Sequence, residues 1–252
     1  MPGYISHTLM ARDTYNKLGQ KNVNLDYMIT YSLGGDLSKY SKCRRDTHKI
    51  DKDKFIYNMC DYLIDNKLTN DSECLGVLYG HICHTMMDDI LHPLIRKVDS
   101  ITGHNNHTLI ELYIDNYLLK NKLSIPLNKY DNRCLFKGYM NKKIRKMIDY
   151  VYNETYKTSH VSYYYIFNKM LYKKSRYIYK IFSINFLKRV TGYDRFINNN
   201  SNIDILNLNH HIEYKDFLGF RCTDDLMTLY DDSITNALLY IDNVNNYLGS
   251  KW

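Results

Sequence analysis

Residues 74–93 read Cys-Leu-Gly-Val-Leu-Tyr-Gly-His-Ile-Cys-His-Thr-Met-Met-Asp-Asp-Ile-Leu-His-Pro. This stretch constrains the chain more than any other. Its apolar residues recur at helical spacing, and His84, Asp88 and His92 fall at i, i+4 and i+8, a turn apart on one face. Ile82, Met86, Met87 and Ile90 occupy the remaining circumference. A helix that is apolar nearly all round belongs inside a protein, so its polar stripe is buried or lines a cleft. Buried imidazoles and carboxylates need partners, and one metal ion satisfies several together. Pro93 disfavours helical geometry at the residue before it, so the helix is expected over Cys74 to Leu91, with His92 on the turn that follows.

A second pair repeats the spacing. His107 and Glu111 lie at i and i+4, and Asp115 continues their face by one more turn. A single His-x-x-x-acid pair reads most simply as a surface ion pair. Two pairs within 28 residues, with a further His ahead of a Pro, point to metal instead. Imidazole nitrogen and carboxylate oxygen bind zinc at roughly 2.0–2.2 Å. Two such helices packed face to face make a multinuclear centre in a helical bundle. His81 shares the face of His84, and reads as a histidine satisfied by a nearby carboxylate or as a support for a ligand. His104 lacks the helical partner that His107 has in Glu111. His160, His210 and His211 have no partner in the sequence and read as surface or ordinary core.

The rest of the chain follows the helical period. Helices are expected over Ser6 to Leu18 (with Ser6 as N-cap), Lys54 to Ile64, Thr108 to Leu119, Lys142 to Tyr152, Ser162 to Phe182 and Leu226 to Leu248. The connections Leu33 to Asp53, Asp99 to Asn106 and Ile197 to Asp216 are long and polar. Three Pro and 11 Gly in 252 residues are too few for a loop-rich all-β chain. A hydrophobic content of 44%, with 14% aromatic residues, excludes wholesale disorder. The expectation is an all-α fold forming one domain over residues 1–252.

Composition also bounds the setting. No stretch is long and apolar enough for a transmembrane segment. The first residues lack the basic start and apolar run of a secretory signal, which predicts an intracellular chain able to lie at the periphery of membranes. Six cysteines without close-pair spacing read as free thiols in a reducing compartment. The 26 tyrosines, beside abundant Asn, Lys and Ile, read as the imprint of an AT-rich genome and carry no chemistry. The net charge of +7 is uneven: residues 141–190 hold twelve Lys or Arg against Asp149 and Glu154, a local +10. Such a segment suits a polyanion or an anionic membrane, or is a pair of helices with solvated lysine faces.

The run from Leu75 to Ile95, an apolar stretch ending in His84-x-x-x-Asp88 and followed by His92-Pro93, resembles the core motif of the zinc-dependent phospholipases C. Other pieces of the pattern stand in order. His7 looks like that family's early histidine ligand, Gly34-Gly35-Asp36 like its glycine turn ending in Asp, and Asp46-Thr47-His48 like its following His. His107 and Glu111 resemble its His-x-x-x-Glu. The likeness covers residues 5–115, with Leu206 to Leu248 resembling the closing segment. The resemblance implies that Asp36, His48, His84 and Asp88 hold one zinc, that His92, His107 and Glu111 hold a second, and that His7 with a bridging Asp88 holds a third. It implies that Asp36 doubles as the base that positions the attacking water. The implied function is a zinc-dependent phosphodiesterase of phospholipase C type, using two or three zinc ions and metal-activated water on phospholipid head groups. Its implied partner is a phospholipid or anionic membrane surface. The wider superfamily includes single-strand nucleases of the P1 and S1 type, so a zinc nuclease acting on nucleic acid is one alternative, favoured by the basic segment. A non-catalytic, zinc-stabilised helical protein is the other.

Overall fold

The computed structural model describes residues 3–19, 22–33, 52–130, 137–138, 141–156 and 192–250. Among them eight helices run in the order α1 (Tyr4–Leu18), α2 (Leu25–Tyr31), α3 (Lys52–Asp65), α4 (Ser72–Ile101), α5 (His107–Leu123), α6 (Lys142–Tyr156), α7 (Tyr193–Asn199) and α8 (Leu226–Ser250). Two-residue strands, β1 (Tyr214–Lys215) and β2 (Arg221–Cys222), pair antiparallel ahead of α8. The fold is all-α. Among the described residues no helix is long and apolar enough to cross a membrane.

The axis is α4, whose side chains Val77, Leu78, Ile82, Leu91 and Ile95 are each at most 1% exposed. Its start is set by Asp71, whose carboxylate accepts from the amides of Glu73 (3.2 Å) and Cys74 (3.0 Å). Lys143, at the head of α6, closes over Asp71 at 2.5 Å and Glu73 at 2.9 Å. Helices α1, α2, α3, α5, α6 and α8 pack against this axis, with α2 and α8 making its most extensive contacts.

Contrary to the expectation that Pro93 stops the helix, α4 continues unbroken to Ile101. An interior proline costs about 3 kcal/mol, through the lost amide and the clash with the preceding turn. Beyond it Leu94, Ile95 and Val98 are buried, each contributing about 1.5–3 kcal/mol. Burial outweighs the local penalty, and His92 is a helical residue rather than a turn residue.

Ser6 is not the cap of α1, which starts two residues earlier with Gly3 at the N-cap position. The capping group comes from another helix. Asp115 of α5, wholly buried, accepts from the amides of Ser6 (2.8 Å) and Ile5 (3.2 Å) and from the Ser6 hydroxyl. A side chain at Gly3 would put its Cβ 2.1 Å from the Asp115 carboxylate, so this junction requires glycine. Asp115 therefore serves the start of α1 rather than the ligand face of α5.

Two short helices, α2 and α7, were absent from the period-based expectation. Asn24 nucleates α2, accepting from the amides of Asp26 and Tyr27 at 3.1 and 3.3 Å. This helix lies against α4 at two glycines: a Cβ at Gly76 would sit 2.5 Å from the Asn24 carbonyl, and one at Gly80 would sit 2.6 Å from that of Met28.

The tyrosines do carry structure. Tyr79 donates to Asn245 (2.5 Å), Tyr230 to Asp13 (3.0 Å), Tyr240 to Asp53 (2.5 Å) and Tyr247 to Asp61 (2.7 Å), each joining two helices by an apolar ring with a polar tip. Cys60, Cys74 and Cys83 are buried thiols, and Cys222 is a half-buried one. The helix expected over Ser162 to Phe182, and with it the basic segment beyond Tyr156, lies outside the described residues, as do Cys43, Cys134 and His160.

Candidate metal centre

Four helices, α1, α2, α4 and α5, meet at the site. The close seat of α2 on Gly76 and Gly80 brings the Ser32 carbonyl, at the end of α2, to 3.0 Å from Nδ1 of His84, one turn beyond Gly80. A carbonyl only accepts, so Nδ1 carries the hydrogen and the neutral ring turns the Nε2 lone pair away. That nitrogen stands 3.6 Å from Oδ2 of Asp88. From α1, His7 stacks on His84 with ring centroids 4.5 Å apart and brings its Nε2 to 3.3 Å from Oδ1 of Asp88. His7, His84 and Asp88 are all buried, and one ligand atom from each lies within 4.8 Å of the others.

A second group adjoins the first. His92 donates from Nδ1 to the Asp88 carbonyl at 2.7 Å, which fixes its ring in the same tautomeric sense as His84. Its ring stacks on His107, centroids 5.7 Å apart, and His107 Nε2 lies 2.9 Å from Oε1 of Glu111. His92, His107 and Glu111 form a triad of the same 4.8 Å compactness, half-buried rather than buried. Asp88 stands at the seam, since its Oδ1 is also 3.7 Å from Nδ1 of His92.

The charges follow from burial. Desolvation holds His84 below the ordinary imidazole range and pushes His92 down to about 4, so both rings are neutral at pH 7. Burial alone raises the Asp88 carboxyl, but the surrounding His84, His7 and His92 outweigh it and keep Asp88 well below the usual carboxylate range. Burial likewise raises Glu111, and the hydrogen bond from His107 returns it below its ordinary value. The neutral His84 thus turns its Nε2 lone pair toward the ionised Asp88, 3.6 Å from its Oδ2. Lone pairs facing one another at that distance repel unless a cation lies between them. The nitrogen and oxygen donors fit a divalent ion of zinc type.

Among the described residues His7, His84 and Asp88 fall in one group, which brings together ligands that the resemblance divides between two sites sharing Asp88. Asp36 and His48 lie outside the described residues. His81 belongs to neither group. It is buried between Phe55 and Tyr31, its Nδ1 donates to the Val77 carbonyl at 3.0 Å, and desolvation lowers its pKa to about 4. Its partner is the carbonyl one turn back, not the carboxylate expected. His104, His210 and His211 are exposed.

A cleft of about 1180 Å³ opens over the seam, with Asp88, His92 and His107 on one side and the β1–β2 hairpin on the other. The hairpin wall was not foreseen, because two-residue strands leave no alternation to read. Lys52 pairs with Asp89 and Arg221 with Glu213 at its edges. No family model matches the chain, and no curated protein or solved structure matches it either.

Proposed function

We propose that the chain is a metal-dependent phosphodiesterase of phospholipase C type that hydrolyses the head-group phosphodiester of phospholipids. One observation carries this reading: two His-carboxylate triads adjoin at Asp88 on the floor of an open cleft. A purely structural zinc site is closed by four protein ligands, whereas each triad here has three protein donors among the described residues. Zinc ions held by the triads would polarise phosphoryl oxygens and lower the pKa of bound water to about 7. The chain's own residues set the stage for that chemistry. Ser32 and the Asp88 carbonyl hold two imidazoles in the ligating tautomer, Asp88 keeps the seam anionic, and the burial of His7 and His84 excludes water from behind the site. Asp36, which follows Gly34-Gly35 in the sequence, is the candidate base for the attacking water.

The cleft favours lipid over nucleic acid. Its hairpin wall presents Phe217 and Leu218, and two of the five cations lining it among the described residues, Lys52 and Arg221, are already paired with acids, which supports the lipid reading. The test is elemental analysis of the purified protein with hydrolysis of phosphatidylcholine and single-stranded DNA measured side by side. The expected result is one zinc per triad and release of the phosphorylated head group. A folded protein free of metal, or one that cleaves only the DNA, would overturn the proposal.

A further inference from the structure

Seven large apolar side chains are exposed among the described residues, and three of them fall within four consecutive positions: Phe217 (53%), Leu218 (66%) and Phe220 (67%). Single exposed apolar residues are ordinary, whereas a cluster on one turn marks an interaction surface. This turn is built to hold them out. Oδ1 of Asp216 accepts from the amides of Leu218 (2.9 Å) and Phe220 (2.8 Å), the Asp216 amide donates to the Phe220 carbonyl at 2.8 Å, and Gly219 takes the left-handed φ of +90°.

Immediately behind the apolar tip, Lys215 and Arg221 stand opposite one another in the strand register, both exposed. Behind them the hairpin is tied down by Asn207, wholly buried, which donates to the carbonyls of Thr223 (2.8 Å) and Ile212 (3.0 Å) and accepts from the Ile212 amide at 2.7 Å. The order from the tip inward is apolar, cationic, anchored. A bilayer surface has the complementary order of hydrocarbon, phosphate and water. Arg96 and Lys97 of α4 line the same cleft as the tip, and neither they nor Lys215 pair with an acid among the described residues.

We propose that the β1–β2 hairpin is a membrane-docking element, inserting Phe217, Leu218 and Phe220 into the interface of an anionic phospholipid bilayer while Lys215, Arg96 and Lys97 meet the phosphates. Docked this way, the cleft over Asp88 and His92 faces the lipid surface. The docking stands on the hairpin's own geometry and holds whether or not the triads hydrolyse lipid.

The test is co-sedimentation of the full chain with vesicles of phosphatidylcholine mixed with phosphatidylserine and with vesicles of phosphatidylcholine alone, released phosphomonoester being measured in the same tubes. The wild type is expected to bind the mixed vesicles more tightly and to lose binding as salt rises. Serine at all three tip positions (Phe217→Ser, Leu218→Ser, Phe220→Ser) is expected to weaken binding by about tenfold or more. Lys215→Gln is expected to weaken it by about fivefold at low salt. Circular dichroism and thermal midpoint check that each variant folds. A direct readout comes from Phe220→Trp in a Trp252→Phe background, whose emission should shift to the blue on adding mixed vesicles. Equal binding by wild type and triple variant, or unshifted emission, overturns the proposal. So does a dimer in sedimentation velocity that the triple variant abolishes while vesicles go unbound, which would make the tip a contact between copies. Binding without hydrolysis leaves the docking in place and overturns the phospholipase reading. Hydrolysis of short-chain lipid monomers without vesicle binding does the reverse.

Discussion

A buried carboxylate costs several kcal/mol unless positive charge or donors lie against it, and Asp88 meets that demand with imidazoles from two helices. Its place at the seam separates it from every other candidate ligand, because His7 and His84 lie on one side and His92 on the other. Asp88→Asn keeps the shape but removes the charge shared by the two groups, so it should reduce zinc content in both. Glu111→Gln touches only the half-buried triad and should cost one ion and leave the buried group loaded. Elemental analysis of both variants after the same dialysis checks this; equal losses would count against a shared Asp88. His81 makes a separate prediction. Its folded pKa of about 4 lies below the ordinary 6.5, so the folded state binds fewer protons than the unfolded chain between these values. Stability is unaffected above pH 6.5 and is lost as pH falls toward 4, by about 2 kcal/mol between pH 7 and pH 5. His81→Phe keeps a ring between Phe55 and Tyr31 without the titration. Its thermal midpoint should fall less steeply over that range than the wild type's.

The contact of α2 with α4 at Gly76 and Gly80 is a demand the helices make on each other. Alanine in a helix interior is favoured over glycine by about 1 kcal/mol. At Gly80, however, the new Cβ would meet backbone atoms of Met28 at 2.6 Å and Ser32 at 2.9 Å, which cannot rotate away. Overpacking of this kind costs about 1–3 kcal/mol or more, so Gly80→Ala should lower the thermal midpoint. It should also weaken zinc binding measured by chelator competition, because Ser32 moves with α2 and no longer orients His84. Gly249 of α8 has nothing within 4 Å, and Gly249→Ala is the control that leaves zinc binding unchanged and does not lower the thermal midpoint. The two glycines also mark where sequence reading succeeds and fails. The period over residues 74–91 was sufficient to find α4 and its stripe of candidate ligands, because burial of one face writes itself into local spacing. Pro93 misled, because its penalty is local while the burial of Leu94, Ile95 and Val98 that overrides it is tertiary. With only seven residues, α2 offers two turns of pattern and hides among connections. The grouping of His7 with His84 depends on how α1 crosses α4, which no spacing along the chain records.

At the scale of the molecule, α1 adds several polar fastenings to its buried apolar face of Ile5, Leu9, Met10 and Ala11. Asp115 takes its first-turn amides, Tyr230 and Lys122 hold Asp13 at 3.0 and 3.3 Å, and His7 reaches the buried triad. An ion in that triad adds one more fastening, and chelation removes only that one. Hydrogen exchange should therefore quicken in α1 on adding chelator while the amides of α4 stay protected; uniform quickening throughout would show that the triad holds the whole core instead. His7 and His84 lie 77 positions apart in the chain. An ion bridging them closes a loop that the unfolded chain leaves open, so its binding energy counts toward folding. The melting temperature then becomes a gauge of free zinc. Above the dissociation constant each tenfold rise in metal adds about 1.4 kcal/mol for each ion that only the folded chain can hold.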